Sequence, residues 1–472
     1  MLCRSLLKQL SQHTATASAA FAAISWLSMS LSASTGGQPI SRPVSCLAEE
    51  PACGDIDESG CGELARSGCG EATTSEKLFG TITPQCLAVF ADGCSEGAES
   101  LKSSGVQVNA NIAQFYMGVV DGGRDQSWKY SGHGDYLMNI NGGKLFGAEG
   151  LLVTLRAEHR FGQSMTRPSG SVLPPNIAAD LPISDSDQLY LTNVRFTQMF
   201  SETFGVFAGK TDSLNGNQNQ FASGRGITQF SNFALSSTPL GFRTVPYSTL
   251  AAGFVILQDR QPVFTFSVLN ATDTTNTVGI SKLFNDGVVL APELRLPTEF
   301  FGLPGHQSFS GTWSSRNYIS LDQDPRVVFP NVPIARQSDS WSLSYNFDQY
   351  LFTDNGTPDN GWGVFGRAGL ADPRTNPFAW FASAGLGGNS MIANRSADTW
   401  GAGYYYTGIS PELDPLISAA IGGVRDTHGT EVFYNIAVTK WFHLTADAQY
   451  LVSARETIDP SLLVGARGVV SF

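Results

Sequence analysis

Arg156, Glu158 and Arg160 are spaced two residues apart. In an extended chain that spacing puts all three on one face, while Leu151, Val153, Leu155 and Ala157 fall on the other. Charges of both signs on one wall orient dipolar solutes and polarise water. Arg195, Lys210, Glu293 and Arg295 lie opposite apolar faces in their own segments and read as further charges of the same kind, as do Arg316, Arg367, Asp447 and Arg467. A second group lies in the polar stretch Ser213–Pro246, where Asn215, Asn217, Gln218, Asn219 and Gln220 precede Phe221, Arg225, Gln229, Phe230 and Asn232. Amides and guanidinium groups hydrogen-bond hydroxyls, and aromatic rings pack on flat apolar faces. The plainer reading of any single one of these residues is that it keeps a wall wet or packs a loop.

The residue types for covalent chemistry are present, but their spacing is not. The six His residues are scattered, and neither GxSxG nor HExxH occurs. His159 and His443 fall near expected strand ends, which does not suggest a catalytic triad. Nothing in the sequence asks for a cofactor, and outside the cysteines at 46–94 nothing asks for a resident metal. The net charge of −12, with charges scattered singly, excludes the basic patch of a nucleic-acid binder.

The elements that would carry these residues are strands. Phe442, Leu444, Ala446 and Ala448 alternate with His443, Thr445, Asp447 and Gln449. One apolar and one polar face fits lipid outside and water inside. About sixteen such segments follow one another from residue 105 to the end, an even number that suits a bacterial barrel. Their links tend to alternate in length. The stretches 161–186, 212–246, 270–286, 318–337 and 408–428 are long and polar, whereas those at 201–203, 259–261 and 440–441 are short. That asymmetry belongs to outer-membrane barrels. The links 349–360 and 388–397 break it, being long where short turns are expected. Composition agrees: 42% hydrophobic, 15% charged and 50 Gly, with no apolar run of spanning-helix length after the N-terminus. The fold expected is therefore all-β, a transmembrane antiparallel barrel.

The N-terminus reads as an export signal over residues 1–34, with Arg4 and Lys8 ahead of an apolar stretch and Ser32-Ala33-Ser34 near its end. Residues 35–104 form a cysteine-rich periplasmic segment. CGDIDESG, CGELARSG and CGEATTSE repeat there, and Cys46, Cys53, Cys61, Cys69, Cys86 and Cys94 are disulfide candidates. A metal site is the alternative for this segment. The barrel occupies 105–472, and its last strand, Leu462–Phe472, ends on an aromatic residue.

Several segments carry a family likeness. They include Trp128-Lys129-Tyr130-Ser131-Gly132 and Gly142-Gly143-Lys144-Leu145-Phe146-Gly147. Phe204-Gly205-Val206-Phe207-Ala208-Gly209-Lys210-Thr211-Asp212 and Gln229-Phe230-Ser231-Asn232 follow, then Asp398-Thr399-Trp400-Gly401-Ala402-Gly403-Tyr404-Tyr405-Tyr406 and Glu431-Val432-Phe433-Tyr434-Asn435. In this order they resemble the carbohydrate-selective porin family (OprB-type), over nearly all of the barrel and none of the cysteine segment. The resemblance implies a sixteen-stranded outer-membrane porin, not an enzyme, that passes sugars, polyols and similar small solutes by passive diffusion. It also implies that the Ser213–Pro246 loop folds into the lumen. Outer-membrane lipid, the barrel assembly machinery at the C-terminal strand, and further copies of the chain are the partners expected. A structural or anchoring barrel with little transport is the alternative; an outer-membrane hydrolase is a third reading.

Overall fold

The computed structural model describes residues 101–328, 331–354, 357–413, 418 and 422–472. The expected export signal and the six disulfide-candidate cysteines lie outside the described residues. Sixteen strands follow in order. They are β1 (Val106–Gly123), β2 (Trp128–Asn141), β3 (Leu151–Gly162), β4 (Tyr190–Met199), β5 (Phe204–Asp212), β6 (Ser248–Gln258), β7 (Gln261–Asn270) and β8 (Val288–Phe300). Then come β9 (Leu303–Ile319), β10 (Arg336–Asp354), β11 (Thr357–Ala371), β12 (Phe378–Asn389), β13 (Thr399–Ile409), β14 (Thr427–Ala437), β15 (Phe442–Val452) and β16 (Asp459–Ser471). Each pairs antiparallel with its neighbours in sequence, and β1 pairs with β16 to close the ring. Closure leaves no free sheet edge, the condition for strands to cross a membrane.

Each strand expected from period-2 alternation is present. On β15, Leu444 and Tyr450 face outward and are exposed, while Thr445, Asp447 and Gln449 are buried within the barrel. Of the two links that broke the length rule, 349–360 is mostly strand, because β10 runs on to Asp354 and β11 begins at Thr357. The other is a real turn, residues 390–398. The long loops L2 (163–189), L3 (213–247) and L4 (271–287) all leave the same, extracellular end.

The interior is not uniformly polar. Ala113, Phe115, Met117 and Val119 of β1 face inward, and so do Phe365, Phe381, Tyr405 and Phe433. L2 brings Leu173, Ile177 and Ala178 against them, and L3 brings Phe221, Phe230, Phe233, Leu235 and Leu240. A hydrophobic core therefore sits inside the barrel, built between loops and wall. The wall makes room for it with glycine. A Cβ on Gly401 would stand 2.8 Å from the Phe230 ring, and one on Gly403 would stand 2.9 Å from Leu235.

Candidate channel constriction

L3 crosses the lumen as a belt, and side chains from six strands hold it, five of them by its backbone. On β8, the Glu293 carboxylate accepts from Asn217 N at 3.1 and 3.3 Å. On β10, Asn346 Nδ2 donates to Gln218 O at 2.9 Å, and Asn219 Nδ2 donates to Asn346 Oδ1 at 2.7 Å. The Arg367 guanidinium of β11 donates to Leu235 O at 2.8 Å and also to Ala222 O. On β14, Glu431 accepts from Ser231 N at 2.7 Å and Asn232 N at 2.9 Å. Gln449 of β15 donates to Ser231 Oγ at 2.9 Å, and Arg467 of β16 to Gly226 O at 3.2 Å. The bonds made by the carboxylates and guanidinium groups among these are charge-assisted and stronger than the neutral ones made by Asn346 and Gln449. They satisfy loop backbone that would otherwise be orphaned within the barrel. L2 joins the belt through Ile177 N, which donates to Ser231 O at 3.0 Å.

Where L3 leaves the wall, β2, β3 and β5 supply a cluster of charges. Arg156 pairs with Asp135 at 3.0 Å and Asp212 at 3.2 Å. Arg225, from L3, pairs with Glu158 at 2.5 Å, Asp212 at 2.7 Å and Asp135 at 3.7 Å. Glu158 also accepts from Thr192 Oγ1 at 2.5 Å and Tyr247 OH at 2.8 Å, and lies 3.4 Å from His133 Nε2. Arg225 adopts φ 55° between Gly224 and Gly226, both also at positive φ. A non-glycine residue there costs about 1–2 kcal/mol, which three ion pairs offset. The cluster is closed upon itself: its acids and bases touch directly, with little exposure to the lumen.

The residues expected at the site thus separate into groups. Arg156, Glu158 and Arg225 come together, with Glu293 farther along the belt. Arg160 sits nearer the rim and donates to Gly162 O. The Arg195 guanidinium lies 5.7 Å over the Phe207 ring, and Arg295 pairs with Asp348 at 3.8 Å. Gln229 is taken up inside L3, bonding Ser223 N and Gln220 O. Phe221 and Phe230 are 3% and 0% exposed. Phe221 stacks edge-on against Tyr350, and Phe230 against Phe365 and Phe433, so both pack the loop and neither offers a face to a solute. Lys210 is apart from all of these: its Nζ donates to the L4 carbonyls of Thr275 and Thr277. The sequence reading missed His133, Asp135, Asp212 and Tyr247. Ser131, His133 and Asp135 alternate along one face of β2 and carried a period-2 signal for that wall.

What remains open to water is the other side of the belt. Gln218 and Gln220 are exposed there, whereas the Asn215 amide bonds Arg156, Arg225 and Asp212; on the wall Arg295 and His306 keep 22% and 30% of their side chains exposed. Among the described residues no cluster of His, Cys, Asp or Glu could hold a metal ion.

A closed sixteen-stranded barrel with an apolar outer wall and an inward-folded third loop is an outer-membrane porin. The family model described as carbohydrate-selective porin, OprB family, matches residues 125–472, and the chain belongs to that family. Its structure is similar to the high-pH structure of Pseudomonas putida OprB, with TM-score 0.69 and 17% identity over 79% of this chain and 96% of that one. The low-pH structure of the same protein matches with TM-score 0.49 and 15% identity, covering 79% and 95%. The outer membrane channel DcaP of Acinetobacter baumannii matches with TM-score 0.45 and 12% identity, covering 78% and 97%. No curated protein sequence matches the chain.

Proposed function

We propose that the channel selects neutral polyhydroxylated solutes, sugars and polyols, and that it has no catalytic role. The observation that carries this reading is the amide edge of L3. Gln218 and Gln220 are exposed, while the charges beside them are paired off at Arg156, Glu158 and Arg225, with the Asn215 amide bonded into that cluster. Amides donate to and accept from hydroxyls without a counter-ion, and paired charges attract free ions weakly. Arg295 and His306 add donors from the wall. Solutes pass beside this edge, because the loop core fills the lumen against β1 and β10–β16.

Sugar block of ion current through the full-length protein in planar bilayers tests the reading. Replacing Gln218 and Gln220 together by Leu is expected to weaken block by neutral hexoses while leaving ion conductance close to the parent's. Unchanged block would move the selective contacts elsewhere. Conductance near zero in the parent would favour an anchoring barrel, the reading that a loop-filled lumen otherwise supports.

A further inference from the structure

L4 exposes four large apolar side chains: Val278 at 71%, Ile280 at 69%, Leu283 at 42% and Phe284 at 52%. A contiguous exposed apolar segment marks an interaction surface. Where this one lies follows from Lys210. On β5, Phe204 stacks against Phe200 and Phe254, all on the outer wall, and Val206 beside it is exposed. Lys210 pairs in register with Val194 and Leu250, which share the faces of exposed Phe196 and Ile256; only at the strand's last residue does Asp212 turn to Arg156 in the lumen. The opposite face carries Phe207, which meets Arg195 in the lumen. The Lys210 side chain therefore points outward, yet its Nζ donates to Thr275 O at 3.1 Å and Thr277 O at 3.0 Å. L4 must lie against the outside of the wall for those carbonyls to reach it. The base of the loop agrees. Thr274 N and Oγ1 both donate to Ser248 O, at 2.8 and 3.2 Å, drawing L4 sideways over β6. Gly279, at φ 85°, turns the chain back, and Phe284 N returns to Asn270 Oδ1 at 2.8 Å.

Depth follows from strand length. β7 has 10 residues. At about 3.4 Å per residue and a tilt of about 40°, it rises about 25 Å, the height of the apolar band. L4 therefore starts where hydrocarbon ends. β9 and β10, with 17 and 19 residues, rise well beyond that level. A loop folded against the wall at the band's edge continues the lipid-contact surface of β7 and β8. Lys282, exposed among the four apolar residues, places a cation at headgroup level.

We propose that L4 is a lipid-seated latch: Val278, Ile280, Leu283 and Phe284 sit in the acyl boundary of the outer leaflet, and Lys210 holds the loop down on the wall.

A photoreactive benzophenone amino acid at Phe284 of the full-length protein, irradiated in intact cells, reads the occupant directly. The expected result is a lipid adduct several-fold stronger than one from the same probe at Asp322, in the loop after β9. Lys210→Met is expected to reduce the adduct at 284 several-fold with the barrel still heat-modifiable. Ile280 serves as the probe position if the substitution at 284 prevents assembly. An adduct at the mass of two barrels would overturn the proposal by making L4 a contact between copies. A yield at 284 no higher than at 322 would overturn it by placing the loop in water, and an unchanged yield in Lys210→Met would remove the lysine from the latch.

Discussion

Arg225 of L3 and Glu158 of β3 stand 67 residues apart in the chain and meet at 2.5 Å, with side chains 11% and 0% exposed. The pair is the buttress by which the wall holds the loop where it enters the lumen. Removing one partner of a buried pair costs about 3–5 kcal/mol, because the other charge is left uncompensated. Glu158→Gln is therefore expected to loosen L3 while the backbone ladder of the barrel stays intact. Single-channel conductance should rise, and limited proteolysis should cut within 213–247. Parent-like conductance together with a protected loop would show that Asp212 and Asp135 hold Arg225 unaided.

Phe230 distinguishes packing from solute contact. Its ring is enclosed by Phe365 and Phe433 at centroid distances of 5.3 and 5.0 Å. Phe→Ala in a core costs about 3–5 kcal/mol, whereas an apolar residue of similar bulk costs much less. Phe230→Leu should keep parent-like conductance and sugar block, and Phe230→Ala should raise conductance and its noise. A loss of sugar affinity in Phe230→Leu at unchanged conductance would restore the ring to the solute path.

The barrel was legible because period 2 is a local property that a single sequence displays. The side on which Arg156 and Glu158 lie was legible for the same reason. Their partners were not, since Arg225, Asp135 and Asp212 reach them only through the path of L3 and the pairing of strands. Arg367, Asp447 and Arg467 look alike in sequence to charges that merely wet a lumen. The structure makes Arg367 and Arg467 anchors because loop carbonyls arrive opposite them. β1 misleads more directly: Phe115 and Met117 point inward to the loop core while Gln114 lies on the outward face, so the usual polar-inside rule inverts. Lys210 has apolar neighbours on both faces of β5, and alternation alone could not assign it to one.

The chain end makes a further test. Phe472 and Ala110 exchange both backbone hydrogen bonds, Phe472 N to Ala110 O at 2.9 Å and Ala110 N to Phe472 O at 3.1 Å. They extend the β1–β16 seam. The Phe472 ring is 43% exposed. Deleting Phe472 removes the ring and both bonds, each worth about 1 kcal/mol, whereas Phe472→Ala removes the ring alone. The deletion is expected to lower the heat-modifiable fraction on gels more than Phe472→Ala does. Equal loss in the two variants would assign the whole effect to the ring, as an assembly signal would require.

The periplasmic turn 390–398 carries a test by pH. Asp398 opens the Asp398-Thr399-Trp400 segment. Its carboxylate accepts from Arg395 Nε and Nη2 at 2.7 Å each, from Tyr434 OH at 2.9 Å and from Ala437 N at 2.9 Å. Burial alone would raise this carboxyl, but the Ala437 N–H, Arg395 and Tyr434 outweigh it and hold the group below its ordinary value of 3.8. A depressed carboxyl binds its proton less readily when folded than when unfolded. Its contribution is therefore fully present above the ordinary value and is lost as pH falls through the folded one. The parent turn should resist proteolysis from neutral pH down to about 4 and weaken below that. Asp398→Asn, which cannot ionise, should be weaker at neutral pH and should lose the difference from the parent as the medium is acidified. Protection of 390–398, followed by mass spectrometry after brief digestion with an acid-active protease and a neutral one, measures both arms. If the two proteins differ by the same amount at pH 3 and pH 7, the carboxylate charge does not hold this turn to β14.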